Sequence, residues 1–209
     1  MYRYITNRIL KPYRSFASDK MNQVKQMLKS KYNLDSDFYL VGSGAKNLVT
    51  QNENESFDLD YNLEIFNLAE PNKNAECVKN EIMNFLNRVL ENTPFSNCKD
   101  STSVITSGWK TKEGLLFSFD IAILVQNRQG IFCRMIHDKN LNRYYWTEIP
   151  NSKDVYERMD TLKKNGLWQT IRNTYLKKKN SYLSIQDKNH PSFIVFVETI
   201  NEVWNKFIN

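Results

Sequence analysis

Residues 57–64 read Phe-Asp-Leu-Asp-Tyr-Asn-Leu-Glu, a strict alternation of apolar and polar side chains. That period of two predicts a strand with Phe57, Leu59, Tyr61 and Leu63 on a buried face and Asp58, Asp60, Asn62 and Glu64 on the other. Two carboxylates two residues apart on one strand face repel each other, and each raises the other's pKa unless a cation lies between them. A second strand, predicted over Leu115–Val125, carries Asp120 in an otherwise apolar run, with Phe117, Phe119, Ile121 and Ile123 on the opposite parity. A charge in so apolar a segment costs energy unless it is compensated. If the two strands pair, Asp120 completes a three-carboxylate cluster, which suits Mg²⁺ because that ion takes hard oxygen ligands and shares its shell with phosphates.

Upstream, Phe38–Val41 forms a short apolar run suited to a buried strand, and Gly42-Ser43-Gly44-Ala45 follows it, opening a short helix through Leu48. Glycines let a backbone approach an anion closely. Successive N–H groups then suit a phosphate, with Ser43 adding a hydroxyl donor and Lys46 a charge. No Gly-Lys-Ser/Thr follows, so this is not a Walker loop, and it is not a G-x-G-x-x-G fingerprint.

The rest of the chain falls into helices and strands around these motifs. Met21, Val24, Leu28 and Tyr32 predict an amphipathic helix over Ser15–Lys31, and Val78, Ile82, Phe85, Leu86 and Val89 predict another between the two acidic strands. Thr102–Trp109 and Leu115–Val125 flank a five-residue Lys-Thr-Lys-Glu-Gly loop and read as a hairpin, followed by a turn over Gln126–Gly130 and a strand over Ile131–Ile136. After Pro150 three helical patterns follow. Val155, Met159 and Leu162 mark the first, and Leu167, Ile171, Tyr175 and Tyr182 the second. The third has Pro191 in its first turn and a stripe of Phe193, Phe196, Ile200, Val203 and Phe207. The expected class is α+β: a mixed β-sheet core flanked by helices over residues 1–150, with a C-terminal helical region over 151–209 packed on it and no Gly/Ser-rich linker between them.

Of the 209 residues 41% are apolar, which supplies a core and argues against disorder. No run approaches the ~18 apolar residues that a membrane span requires, and the first sixteen residues are too polar for a signal peptide. Cys77, Cys98 and Cys133 are odd in number and share no metal-ligand spacing, so they read as reduced thiols of a cytoplasmic protein. The net charge of +6 is concentrated between Arg158 and His190, where Arg158, Lys163, Lys164, Arg172, Lys177, Lys178, Lys179 and Lys188 face only Asp160 and Asp187. Such a block suits an anionic partner, a nucleotide or a nucleic acid; a solvated lysine-rich helix face reads equally well.

Gly42-Ser43, then Phe57-Asp58-Leu59-Asp60, then Phe119-Asp120-Ile121 together resemble the nucleotidyltransferase superfamily of DNA polymerase β. The resemblance covers about Tyr39–Val125. It implies that Gly42 and Ser43, with Lys46 nearby, contact a donor triphosphate. It also implies that Asp58 and Asp60 bind two Mg²⁺ ions, for which Mn²⁺ can substitute, and that Asp120 binds the ion that activates the attacking hydroxyl. The fifteen-residue step from Ser43 to Asp58 is longer than that pattern expects, and the polar stretch Thr50–Ser56 reads as an extended loop. The implied reaction is transfer of a nucleoside monophosphate from an NTP, ATP foremost, to an acceptor hydroxyl with release of pyrophosphate, the acceptor being RNA or a nucleotide. The alternative is a non-catalytic nucleic-acid-binding protein, or a regulatory partner of the toxin–antitoxin type, that keeps the fold. His137 and His190 are too isolated for a histidine metal site, and Trp109, Tyr144, Tyr145 and Trp146 suit either stacking on a base or cross-strand packing.

Overall fold

The computed structural model describes residues 1–66, 68, 75–112, 114–127, 129–187 and 189–208. Lys188 of the basic block, Glu113 of the hairpin loop and Arg128 of the following turn lie outside them. The chain divides into two compact units. One contains Thr6–Val49 and Glu55–Ile149; the other contains Met1–Ile5, Thr50–Asn54 and Pro150–Asn209, so two pieces from the first 150 residues cluster with the C-terminal helices.

The first unit is built on a mixed sheet. Its strands are β2 (Ser36–Leu40), β4 (Phe57–Ile65), β5 (Lys99–Asp100), β6 (Ile105–Thr111), β7 (Gly114–Gln126), β8 (Phe132–Asp138) and β9 (Arg143–Glu148). They run in the order β2-β4-β7-β6-β5, with β8 also paired to β7 and β9 to β8. The long strand β7 organises the sheet. It pairs with β4 in parallel from Phe57↔Phe117 to Ile65↔Val125. Its other edge is shared, antiparallel, by β6 over its first part and β8 over its end.

The alternation in β4 and β7 makes the sheet two-faced. Phe57, Leu59, Tyr61, Leu63, Phe117, Phe119, Ile121 and Ile123 are buried. This apolar face is covered by α1 (Asn7–Tyr32), whose buried stripe is Leu10, Ala17, Met21, Val24 and Leu28, and by α3 (Ala75–Leu90), which buries Ile82, Phe85 and Leu86. Tyr13 of α1 meets Phe57 edge-on at 5.1 Å between centroids, and Phe16 stacks on Phe95 at 5.2 Å. Such pairs contribute about 0.5–1.5 kcal/mol beyond their buried area. The polar face of the sheet is left for Asp58, Asp60 and Asp120.

Several expectations need correction. Helix α1 begins eight residues before the predicted Ser15, because Leu10 extends the buried stripe and Pro12 lies near enough to the N-terminus to forfeit only one backbone hydrogen bond. The β6–β7 hairpin is tighter than a five-residue loop: Lys110 pairs with Leu115 and Thr111 with Gly114. The stretch after Ser43 is not all loop, since β3 (Thr50–Asn52) pairs antiparallel with β1 (Tyr2–Tyr4) in the second unit.

That unit also holds α4 (Lys153–Lys164), α5 (Trp168–Ser184) and α6 (Ser192–Ile208). Met159, Leu162, Ile171, Tyr175, Phe196, Ile200 and Val203 are buried as their spacing predicts, whereas Phe193 and Phe207 are exposed and Val195 and Thr199 are buried instead. Pro191 precedes α6 and accepts a hydrogen bond from Val195 N, so it caps the helix rather than starting its first turn. Five of the basic residues have partners within the unit: Arg158 donates to Asn201, Lys163 lies over Trp168, Arg172 over Tyr4, Lys178 pairs with Glu202 and Lys179 donates to Ser192. Among the described residues no helix is long and apolar enough to cross a membrane.

Candidate active site

The parallel pairing of β4 with β7 sets Asp60 directly beside Asp120, and Asp58 beside Ser118. One carboxylate oxygen from each of Asp58, Asp60 and Asp120 lies within 4.8 Å of the others. Asp58 is exposed, while Asp60 and Asp120 are half-buried. Burial pushes the Asp60 carboxyl up to about 6; the charges of Asp58 and Asp120 act in the same direction, and Lys46 and Arg134 oppose them. Asp120 is raised as well, first by burial and then by Asp58, against a hydrogen bond from Thr106 that favours its ionised form. Three acids that disfavour one another's charge, offering only hard oxygen atoms, form a donor set that fits a divalent cation such as Mg²⁺.

The glycine turn abuts this cluster. Val41 N donates to the Asp60 carbonyl at 2.8 Å, so the end of β2 hands the chain into the short helix α2 (Gly42–Ala45) beside β4. Gly42 has φ +59°, and a Cβ there would sit 3.1 Å from Asp60 Cγ and closer still to Oδ2. Both the backbone conformation and the nearness of the carboxylate therefore require glycine. Arg14 of α1 donates to the Gly44 carbonyl at 2.8 Å and ties the turn to the helix behind it. Ser43 lies in α2, and its carbonyl accepts from Leu48 N at 2.9 Å. Lys46 Nζ donates to the Gly42 carbonyl at 3.0 Å; burial lowers its pKa, with Asp60 acting the other way.

No family model and no curated protein matches the chain. Solved structures do. CdnC of E. coli MS115-1, solved with ATP, superposes with a TM-score of 0.60 at 16% identity, over 95% of this chain and 62% of CdnC. The CdnE cyclic dinucleotide synthase of Elizabethkingia meningoseptica, solved with GTP and Apcpp, gives 0.57 at 15% identity, over 92% of this chain and 70% of CdnE. The fold is that of a nucleotidyltransferase. The DncV cyclic AMP-GMP synthase of Vibrio cholerae gives 0.53 at 12% identity, over 81% of this chain and 47% of DncV. At such identities the likeness speaks for the fold, and the chain spans about three-fifths of the length of CdnC.

On this nucleotidyltransferase sheet two further residues stand beside the acids. Thr106 of β6 is paired with Asp120, and its Oγ1 donates to Asp120 Oδ1 at 2.5 Å. Arg134 of β8 pairs with Leu124, on the same parity as Asp120, and its charge opposes the raised pKa of Asp60. Both sit on strands predicted from sequence, yet their nearness to the acids depends on strand register, and no local signal carries that. His137, Tyr144 and Asp100 form a cluster of their own: Tyr144 stacks on His137 at 3.9 Å between centroids, and both donate to Asp100 Oδ2. Trp109 packs with Phe16 and Phe95 in the aromatic core. His190 is stacked on Tyr182 and paired with Asp187 in the helical unit.

Proposed function

We propose that this protein is a Mg²⁺-dependent nucleotidyltransferase that moves a nucleoside monophosphate from an NTP, ATP foremost, to an acceptor hydroxyl and releases pyrophosphate. The observation that carries this reading is the convergence of Asp58, Asp60 and Asp120 within 4.8 Å beside a glycine turn that touches Asp60. In this reading the three carboxylates hold two divalent ions, which when bound would acidify the attacking hydroxyl and neutralise the leaving phosphates. Gly42 and Ser43 bring backbone N–H groups and a hydroxyl to the donor triphosphate, and Lys46 adds a positive charge. Arg14 holds that turn in place through the Gly44 carbonyl. Catalysis then comes from positioning and charge neutralisation rather than from a covalent intermediate on the protein.

A nucleotide is the favoured acceptor over RNA. CdnE is a cyclic dinucleotide synthase and DncV a cyclic AMP-GMP synthase, and a nucleotide acceptor agrees with that fold likeness. The three unpaired cysteines agree with work in a reducing cytoplasm.

The test is incorporation from each of the four α-phosphate-labelled NTPs, alone and in pairs, with Mg²⁺ or Mn²⁺ and with or without total RNA. Wild type is compared with the Asp58→Asn/Asp60→Asn double variant. The expected result is a labelled nucleotide product and pyrophosphate from wild type only. Salt-sensitive RNA binding that survives the double variant, with no transfer under any condition, would instead establish the non-catalytic alternative.

A further inference from the structure

The second strand-register contact of Asp120 carries a role that the acids alone do not reveal. Thr106 Oγ1 lies 2.5 Å from Asp120 Oδ1 and 3.4 Å from Ser101 Oγ. A threonine hydroxyl has one proton, and an ionised carboxylate only accepts. The Thr106 proton is therefore committed to Asp120, and the Ser101 hydroxyl must be the donor to Thr106. The chain has a single direction, from Ser101 through Thr106 to Asp120, and each donor polarises the next.

Its origin is held firmly. Ser101 lies in the turn between β5 and β6, closed by Ser101 N donating to Val104 O at 3.0 Å. Lys79 of α3, almost fully buried, donates to the Ser101 carbonyl at 2.6 Å and pairs with Asp100 at 2.5 Å. From the other side His137 N donates to the Thr102 carbonyl at 2.7 Å. The backbone of the turn is thus clamped between a helix and β8, which places the Ser101 hydroxyl beside Thr106.

We propose that Thr106 is a positioning residue for the cation site: its hydroxyl, oriented by the clamped turn, fixes the plane of the Asp120 carboxylate so that it faces Asp58 and Asp60. This rests on the reading of the three acids as a cation site. Partners that orient metal ligands in this way typically contribute 10- to 100-fold in metal affinity.

The test titrates Mn²⁺ alone into the full chain and reads free ion by electron paramagnetic resonance, for wild type, Thr106→Val, Thr106→Ser and Asp120→Asn. Valine keeps the shape and removes the donor. The expected result is Mn²⁺ binding weakened about tenfold or more in Thr106→Val and restored to within about threefold of wild type in Thr106→Ser. Melting in EDTA checks that Thr106→Val is folded; should it not be, Ser101→Ala removes the upstream donor and is expected to weaken Mn²⁺ binding in its place. Binding within about twofold of wild type in a folded Thr106→Val chain, while Asp120→Asn loses it, would overturn the proposal and leave the cation site standing. Wild type that binds no more Mn²⁺ than Asp120→Asn would overturn the cation site itself, and this role with it.

Discussion

Replacing Asp60 with asparagine is expected to abolish transfer and, at the same time, to stabilise the metal-free protein. Burial and the neighbouring acids raise the Asp60 carboxyl from its ordinary 3.8 to about 6. Between those two values the folded chain holds a proton that the unfolded chain has released, so stability falls as pH rises through that window. A pKa difference of one corresponds to about 1.36 kcal/mol, which makes ionised Asp60 cost the metal-free fold up to about 3 kcal/mol near pH 7.5. Asparagine keeps the shape and removes the charge, but its amide fits the carboxylate's place less well, so a net gain of about 1–2 kcal/mol is expected. For a chain of this size that is a rise in melting temperature of about 2–8 °C. The assay is thermal melting in EDTA, near pH 7.5 and again near pH 4.5, with a third arm in Mg²⁺ plus NTP. The advantage of Asp60→Asn should shrink by more than half near pH 4.5, where folded Asp60 is itself protonated. Mg²⁺ plus NTP should raise the melting temperature of wild type and leave the variant unmoved. A variant no more stable than wild type near pH 7.5, or an advantage that acidification does not change, would refute the argument that three uncompensated carboxylates strain this site.

Further outcomes follow from the same geometry. Gly42→Ala forces a Cβ into the Asp60 carboxylate at a positive φ, so Mn²⁺ affinity should drop more than about tenfold, read by titration, with a melting temperature lowered by only a few degrees. Mn²⁺ affinity of wild type should fall as pH drops below about 6, because the proton on Asp60 then competes with the ion; a flat profile between about pH 5 and pH 7.5 would contradict this. Lys79→Ala removes one partner of a buried ion pair and leaves Asp100 with Tyr144 and His137. It should cost about 3 kcal/mol, seen as a melting temperature lower by roughly 6–12 °C in both the presence and absence of metal.

The chemistry of the site was legible in the sequence wherever it depended on local periodicity. The alternation in Phe57–Glu64 puts Asp58 and Asp60 on one face whatever the strand pairs with, and the parity of Phe117–Ile123 sets Asp120 opposite an apolar row. The helices likewise declared themselves where apolar residues recur at helical spacing, as in Met21–Leu28 and Val78–Val89. Tertiary context decided what periodicity cannot encode. Helix α1 runs back through Pro12 because Leu10 finds a buried place, and Thr50–Asn52 becomes a strand because Tyr2–Tyr4 lies ready to pair with it. Phe193 and Phe207 remain exposed although their spacing marks them for the core.

Three acids on strand faces behind a glycine turn can be read from the order of the residues alone. Their meeting, the parallel run of β4 and β7 with Asp60 against Asp120, and the arrival of Thr106 and Arg134 beside them come from the assembled sheet. The reason is physical: which face a side chain takes is set by backbone geometry within a few residues, whereas which strands become neighbours, and in what register, is set by non-local packing of the whole sheet.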